Sequence, residues 1–542
     1  EATVKQEFVT SNTTLKTLLA AEWGETETET SDIMNFVRGE STHEGGKYRD
    51  RDGWPLGDII HSTPIVIGPP IFAYTEHDYQ TFKSNNSNRT KIVYVGSNDG
   101  MLHAFNASDG SEAWAFIPEN VLSDLDGLTQ EDCHLYLVDQ SPVGADIHDG
   151  TNWKTVLIGG NRLGGDEYFC LDVTDPAHDG FSILWDYVPF SNRKSSTMPV
   201  IGKVTGGAVD KWVAIITSGY HEGTDPGKIA ALNFTDGAKE TIWNDGTSDV
   251  SELTTQSKNV GNPYYTMSSP IGVDTDDDGY LDVVYAGDTE GSLWKFYYDY
   301  VDTIWKKCEL FNTGGQPITA RPTVAFDEDD KLRIYFATGK YLVGSDRLNA
   351  ARNAMYCLIE SPVSTADANN GHYTNTTAIS KANDLVDLTT ITTQQAFDQY
   401  TAANPGDLTK INTNGWYFQL DLPVGPAERV LEQAIIIEGF VFFTSFIPNQ
   451  DVCGYGGNSR IYAIDYKTSQ PAREDCGSVL ENVGEDERYK PLGTGLPSKP
   501  VHYYDPVSKE TEMIIQTSDS RINRLKVNLS KKPLSVSSWL SD

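Results

Sequence analysis

Positive charge is scarce in this 542-residue chain: 42 Lys and Arg stand against 77 Asp and Glu, for a formal net charge of −35. A surface of that sign repels phosphate and excludes a nucleic-acid binder. It suits a soluble protein in a cation-rich extracellular setting. No apolar run approaches the ~20 residues of a membrane-spanning helix. Nothing in the opening Glu1-Ala2-Thr3 reads as a signal peptide, so a mature protein or a fragment of a longer secreted one is expected. Cysteine is limited to six residues, with no CxxC and no CxxCH haem motif. An even count without metal-ligand spacing points to disulfides and an oxidising compartment. Cys453 and Cys476 bracket a hairpin-like segment at 460–466 and are the candidate pair.

The common enzyme signatures are missing as well. There is no HExxH, no GxSxG and no P-loop. The glycine-rich run at 159–165 lies between strands with no helix after it, which makes it a poor phosphate cradle. Ten histidines are scattered without metal spacing. His61 and His103, each beside a strand, are expected to be packed or hydrogen-bonded rather than catalytic. No catalytic residue is assigned.

What the sequence does contain is Asp274-Thr275-Asp276-Asp277-Asp278-Gly279-Tyr280-Leu281-Asp282. Carboxylates at alternate positions around a glycine turn reproduce the first two-thirds of an EF-hand-type calcium loop. Hard Ca²⁺ takes about six to eight oxygens at ~2.3–2.6 Å. Asp274, Asp276, Asp278 and Asp282 would supply carboxylates, and Tyr280 its backbone carbonyl. Position 12 is Tyr285 rather than the bidentate Glu of a helix–loop–helix hand, and both flanks read as strands. The loop is therefore a calcium site set in a β-hairpin. The bland alternative is an acidic surface turn.

Gly (47), Tyr (27) and Trp (11) are abundant, as expected of many short strands and turns. From Leu56 onward a three-part unit recurs: a short segment ending in Pro or a small residue, a buried strand ending in Gly or Ser, and a further strand. It appears seven times, the sixth without its leading Pro, and reads as an all-β, modified seven-bladed β-propeller over residues 56–530. Residues 1–55 form a short helical N-terminal segment, with helices expected at 15–21 and 33–39 and an acidic linker at 25–29 between them. Residues 531–542 are a C-terminal tail. Long polar insertions fall at 75–90 and 363–410, the latter with a short helix at 394–400. The acidic loop occupies the first hairpin of the fourth unit. The matching turns at 144–150, 206–208 and 327–331 lack the full carboxylate ladder, the last coming nearest.

Several of these strings together resemble the C-terminal domain of the PilY family of type IV pilus biogenesis factors and tip-associated adhesins. They are Phe36-Val37-Arg38-Gly39, residues 56–64, residues 94–105, the 274–282 loop with Ala286-Gly287-Asp288, Gly415-Trp416-Tyr417, Glu428-Arg429-Val430-Leu431 and residues 453–465. The resemblance implies a modified seven-bladed propeller with one Ca²⁺ on the Asp274 loop. It also implies a non-enzymatic role in pilus assembly, in calcium-tuned extension and retraction, and in adhesion. The expected partners are minor pilins or the pilus tip, with a host or abiotic surface, and the expected location is extracellular. The resemblance does not reach the large N-terminal region that such proteins often carry, and no Arg-Gly-Asp occurs, Arg38-Gly39-Glu40 being the nearest string. Two other readings stand beside it. Residues 98–114 also look like one blade of a pyrroloquinoline-quinone dehydrogenase, although the adjacent-cysteine pair expected there is absent. The third reading is a calcium-independent protein-interaction propeller.

Overall fold

The computed structural model describes residues 5–75, 77–130, 134–205, 210–223, 225–255, 264–421, 425–449, 456–474, 477–481, 483–484, 486–505 and 510–529. Cys453, Cys476, the turn at 206–208 and the tail at 531–542 lie outside the described residues. Cys170, Cys308 and Cys357 are free thiols.

The strands form the antiparallel blades of a seven-bladed β-propeller. They fall in two compact units. The first unit holds blade 1 (Ile65–Ile67, Ile92–Gly96, Leu102–Asn106, Glu112–Phe116), blade 2 (Val143–His148, Trp153–Gly160, Tyr168–Asp172, Ser182–Tyr187) and blade 3 (Val200–Val204, Lys211–Thr217, Lys228–Asn233, Glu252–Thr254). The second holds blade 4 (Ile271–Val273, Val283–Gly287, Ser292–Asp299, Ile304–Asn312), blade 5 (Thr323–Phe326, Leu332–Ala337, Ala354–Glu360, Gly415–Gln419), blade 6 (Ile435–Ile437, Phe440–Pro448, Gly457–Asp465, Tyr489–Thr494) and blade 7 (Val501–Asp505, Glu510–Gln516, Ile522–Val527).

The repeat has a mechanical reading. In blades 1 to 5 and 7 the first strand begins at the residue directly after Pro64, Pro142, Pro199, Pro270, Pro322 and Pro500. Proline has no N–H to give a ladder, so it belongs just outside the first paired residue. The sixth blade starts at Ile435 after Ala434 and does without it. First strands of successive blades touch, blades 1 to 3 in one unit and blades 4 to 6 in the other. The second strands of blades 1 to 6 are largely buried on both faces, which explains their apolar runs, whereas that of blade 7, Glu510–Gln516, has exposed ends. In blade 2, Leu157 packs with Tyr94, Leu102 and Trp114 of blade 1, while Val156 and Ile158 pack with Ile201, Ala214 and Ile216 of blade 3.

The glycine that closes a second strand marks a close approach. A Cβ on Gly96 would lie 2.3 Å from the Val138 carbonyl oxygen, and one on Gly287 2.3 Å from Ile318 Cγ2. Val138 and Ile318 both lie on the segments that lead into the next blade.

The N-terminal helices are α1 (Thr13–Trp23) and α2 (Glu27–Val37). The acidic stretch expected as a linker instead opens α2. The Thr26 hydroxyl accepts the Glu29 N–H at 3.2 Å, and Glu27 and Glu29 sit in the first turn, where the helix dipole favours them. The apolar face of α2, with Ile33, Phe36 and Val37, packs on Val121, Leu125 and Leu128. The insertion at 75–90 carries α3 (His77–Asn85). Beyond the helix expected at 394–400, which runs as α4 (Gln394–Ala403), the chain forms α5 (Pro405–Thr413) with Pro in its first turn.

Gly287→Ala should lower stability by about 1–3 kcal/mol, the usual cost of overpacking. Urea unfolding measures it; an unchanged midpoint would show that the segment at Ile318 yields freely.

Candidate metal centre

The Asp274 loop is held at both ends by its blade. Ile271–Val273 pairs antiparallel with Val283–Gly287, and the Asp282 N–H donates to the Val273 carbonyl at 2.9 Å. Val273 and Val283 sit directly opposite and enter the core shared with blade 5, together with Ile271 and Tyr285. Between these pins the loop turns through Asp277 at φ 62° and Gly279 at φ 91°, left-handed conformations that glycine adopts most easily. Asp274 templates the turn, receiving the Asp278 N–H at 3.3 Å on Oδ1 and the Gly279 N–H at 2.8 Å on Oδ2.

The result is convergence. Carboxylate oxygens of Asp274, Asp276 and Asp282 lie within 4.8 Å of one another, and among the described residues no other such group of His, Cys, Asp or Glu forms. Asp278 is exposed, and its Oδ1 accepts the Tyr280 N–H at 2.8 Å, closing a local turn beside the other three. Tyr280 is half-buried at the end of the loop.

The electrostatics are unfavourable without a cation. Two unit charges at 4.8 Å repel by about 3 kcal/mol at an effective dielectric of ~20. Asp274 and Asp282 are 8% and 3% exposed, so neither is relieved by bulk water. Burial pushes the Asp274 carboxyl up to about 6, with the Asp282 and Asp278 charges adding to it against the Gly279 N–H. Burial likewise raises Asp282, and Asp278, although exposed, is raised by partial desolvation and by the neighbouring Asp276 and Asp282 charges. The donor set is oxygen only, which is the chemistry of a hard divalent cation and not of zinc or copper.

Tyr285, at position 12, points into the inter-blade core, where its hydroxyl donates to Glu360. Asp282 closes the ring instead. Three side chains around the site carried no sequence signal. The Tyr300 hydroxyl donates to Asp282 Oδ1, and the Thr275 N–H and hydroxyl reach Asp282 Oδ2 at 2.7 and 2.6 Å. His372, from the insertion, has Nδ1 3.8 Å from Asp276 Oδ2. The sibling turns are spoken for by other groups. Asp327 accepts the N–H groups of Asp329 and Lys331 and holds the buried Arg333 at 2.9 Å. Asp149 accepts from Thr151 and Asn152 and pairs with Lys154 at 3.0 Å.

A propeller with one acidic, oxygen-lined hairpin is the class of molecule these features define. Residues 56–304 match the family model described as the PilY1 beta-propeller domain. Over those residues, just under half of its length, the chain is similar to the propellers of that family. It is 30% identical over 489 residues to a type IV pilus biogenesis factor PilY1 homolog of Xylella fastidiosa, covering 86% of this chain and 36% of that protein. It is 30% identical over 499 residues to the type IV pilus biogenesis factor PilY1 of Pseudomonas aeruginosa, covering 81% and 41%. The chain thus spans about two fifths of the length of these relatives. The crystal structure of the Pseudomonas aeruginosa PilY1 C-terminal domain shares the fold, with a TM-score of 0.61 at 23% identity, covering 85% of this chain and 99% of that one.

The two histidines singled out in the sequence are both held by carboxylates. His61 Nδ1 meets Asp139 at 2.6 Å. His103 lies between Glu112 at 2.6 Å and Asp99 at 3.1 Å. Burial opposes the His103 charge, but hydrogen bonds to Asp99 and Glu112 outweigh it and raise its pKa from 6.5 to about 9. A raised histidine stabilises the fold fully below its unfolded pKa, and that contribution is lost as pH rises through about 9. Wild type should therefore lose on the order of 2 kcal/mol between ~pH 6 and ~pH 10 relative to His103→Gln. Parallel pH-dependent melts measure it; identical slopes for the two proteins would contradict the ion-paired assignment.

Proposed function

We propose that this propeller is a non-enzymatic, calcium-binding module of a type IV pilus biogenesis factor. It would act at the pilus tip or outer cell surface, docking on minor pilins and supporting control of extension and retraction and attachment to a surface. The observation that carries the reading is the convergence of Asp274, Asp276 and Asp282 on oxygen atoms alone, in a loop whose ends cannot splay. The PilY1 relatives, named as pilus biogenesis factors, support the cellular role.

Asp274, Asp276 and Asp282 would hold the cation, joined by Asp278 and the Tyr280 carbonyl. Bound Ca²⁺ supplies the positive charge that offsets the mutual repulsion of the carboxylates. The chain's own contribution is to fix the loop: Asp274 templates the turn, Thr275 and Tyr300 orient Asp282, and the Val273–Val283 pair anchors both ends. A rigid hairpin presents one surface to a pilin in place of many.

The test is calorimetric calcium titration after chelation, with magnesium as competitor. Wild type should show one site, and Asp276→Ala should weaken it by well over the ~10-fold that loss of an outer partner costs. The same substitution placed in the bacterium should alter surface piliation while the amount of secreted protein holds. A silent titration of wild type would reduce the loop to an acidic turn.

A further inference from the structure

The insertion between the third and fourth strands of blade 5 reaches back to the acidic loop of blade 4. Residues 363–372 form a small hairpin, in which the Val363 N–H donates to the His372 carbonyl and the Gly371 N–H to the Val363 carbonyl, both at 2.9 Å. Its far side is tied down where the Tyr373 hydroxyl donates to the Asp330 carbonyl.

The hairpin engages the acidic loop through Tyr300 and directly through His372. The His372 ring stacks on the Tyr300 ring with centroids 3.7 Å apart and planes at 16°. The Tyr300 N–H donates to Asn369 Oδ1 at 2.9 Å, and Asn369 Nδ2 donates to Asp299 at 3.2 Å. The Tyr300 hydroxyl donates to Asp282. His372 Nδ1 is closed off from solvent without a hydrogen bond and lies 3.8 Å from Asp276 Oδ2. Two of the three converging carboxylates therefore face groups that belong to the hairpin or are clamped by it.

We propose that residues 363–373 are a strap over the cation loop, with His372 and Tyr300 as positioning residues that set its cation affinity, so that occupancy of the loop orders the strap in turn. The inference rests on the cation reading of residues 274–282. His372 is not itself a ligand here, because Ca²⁺ prefers oxygen over imidazole. Its ring instead fixes Tyr300, and Tyr300 fixes Asp282. A carboxylate oxygen has lone pairs enough to accept the Tyr300 hydroxyl and still face a cation. Coupling of this kind is reciprocal: whatever the strap does for the cation, the cation does for the strap.

The experiment compares wild type, His372→Ala, Tyr300→Phe and Asp276→Ala. It reads calcium affinity by calorimetry and amide hydrogen exchange across 363–373 with calcium or chelator. Tyr300→Phe keeps the stacked ring and removes only the hydroxyl. Both strap variants should weaken calcium by about fivefold or more while still melting cooperatively in chelator, where any loss of calcium-free stability is measured separately. Calcium should slow exchange in the strap of wild type and leave that of Asp276→Ala unaltered. Wild-type affinity in both strap variants, or calcium-insensitive exchange in wild type that does bind calcium, overturns the strap and leaves the cation site standing. A change in only one readout also overturns it, since linkage runs both ways. No calcium binding by wild type removes the cation reading itself and the strap with it.

Discussion

Three carboxylates confined within 4.8 Å of one another are the constraint around which blade 4 is arranged. An ordinary surface turn relieves such repulsion by swinging its side chains apart. Here Asp274 and Asp282 have little freedom to do so, while Asp276 is exposed. Val273 and Val283 are locked face to face in the core shared with blade 5, Asp274 is spent in templating the turn, and Asp282 is held from both sides by Thr275 and Tyr300. A fold that keeps like charges together by packing would favour a cation between them.

The contrast with the neighbouring buried polar groups sharpens this reading. Lys295 is fully buried and meets Glu360 at 2.6 Å, with the Tyr285 hydroxyl on the other carboxylate oxygen. Asp288 accepts the N–H groups of Glu290 and Ser292 at 2.9 Å, the Trp294 indole at 2.7 Å and the Tyr265 hydroxyl at 2.8 Å. These two buried charges are answered, one by an opposite charge and the other by a set of donors, as low-dielectric surroundings demand. The Asp274 loop gathers acceptors, its nine residues include no Lys or Arg, and the imidazole of His372 from the insertion stands beside Asp276.

Much of the fold was legible because the propeller repeats the same local physics. Proline before a first strand recurs in six blades, apolar runs buried on both faces recur in the second strands of blades 1 to 6, and a glycine marks the close approach of the next blade's leading segment in blades 1 and 4; each leaves a mark in one dimension. The loop was legible for the same reason, since its carboxylates and Gly279 lie within nine consecutive residues. What could not be read came from a distance. Tyr300 follows the third strand of the blade, and His372 belongs to an insertion within the next blade, between its third and fourth strands; only the folded chain brings them to Asp282 and Asp276. The acidic run at 25–29 misled because its composition matches a solvated linker, whereas Thr26 as a cap and the helix dipole make it a helix start. Tyr285 looked like a gap in a calcium loop and is a core residue of the blade interface.

The most direct test of the central claim is a crystal structure grown with calcium after chelation of whatever ion the protein carries. The account requires one peak among Asp274, Asp276 and Asp282, with oxygens at ~2.3–2.6 Å and the Tyr300 and Thr275 contacts to Asp282 intact. Carboxylates turned out to solvent, with no peak between them at millimolar calcium, would contradict it.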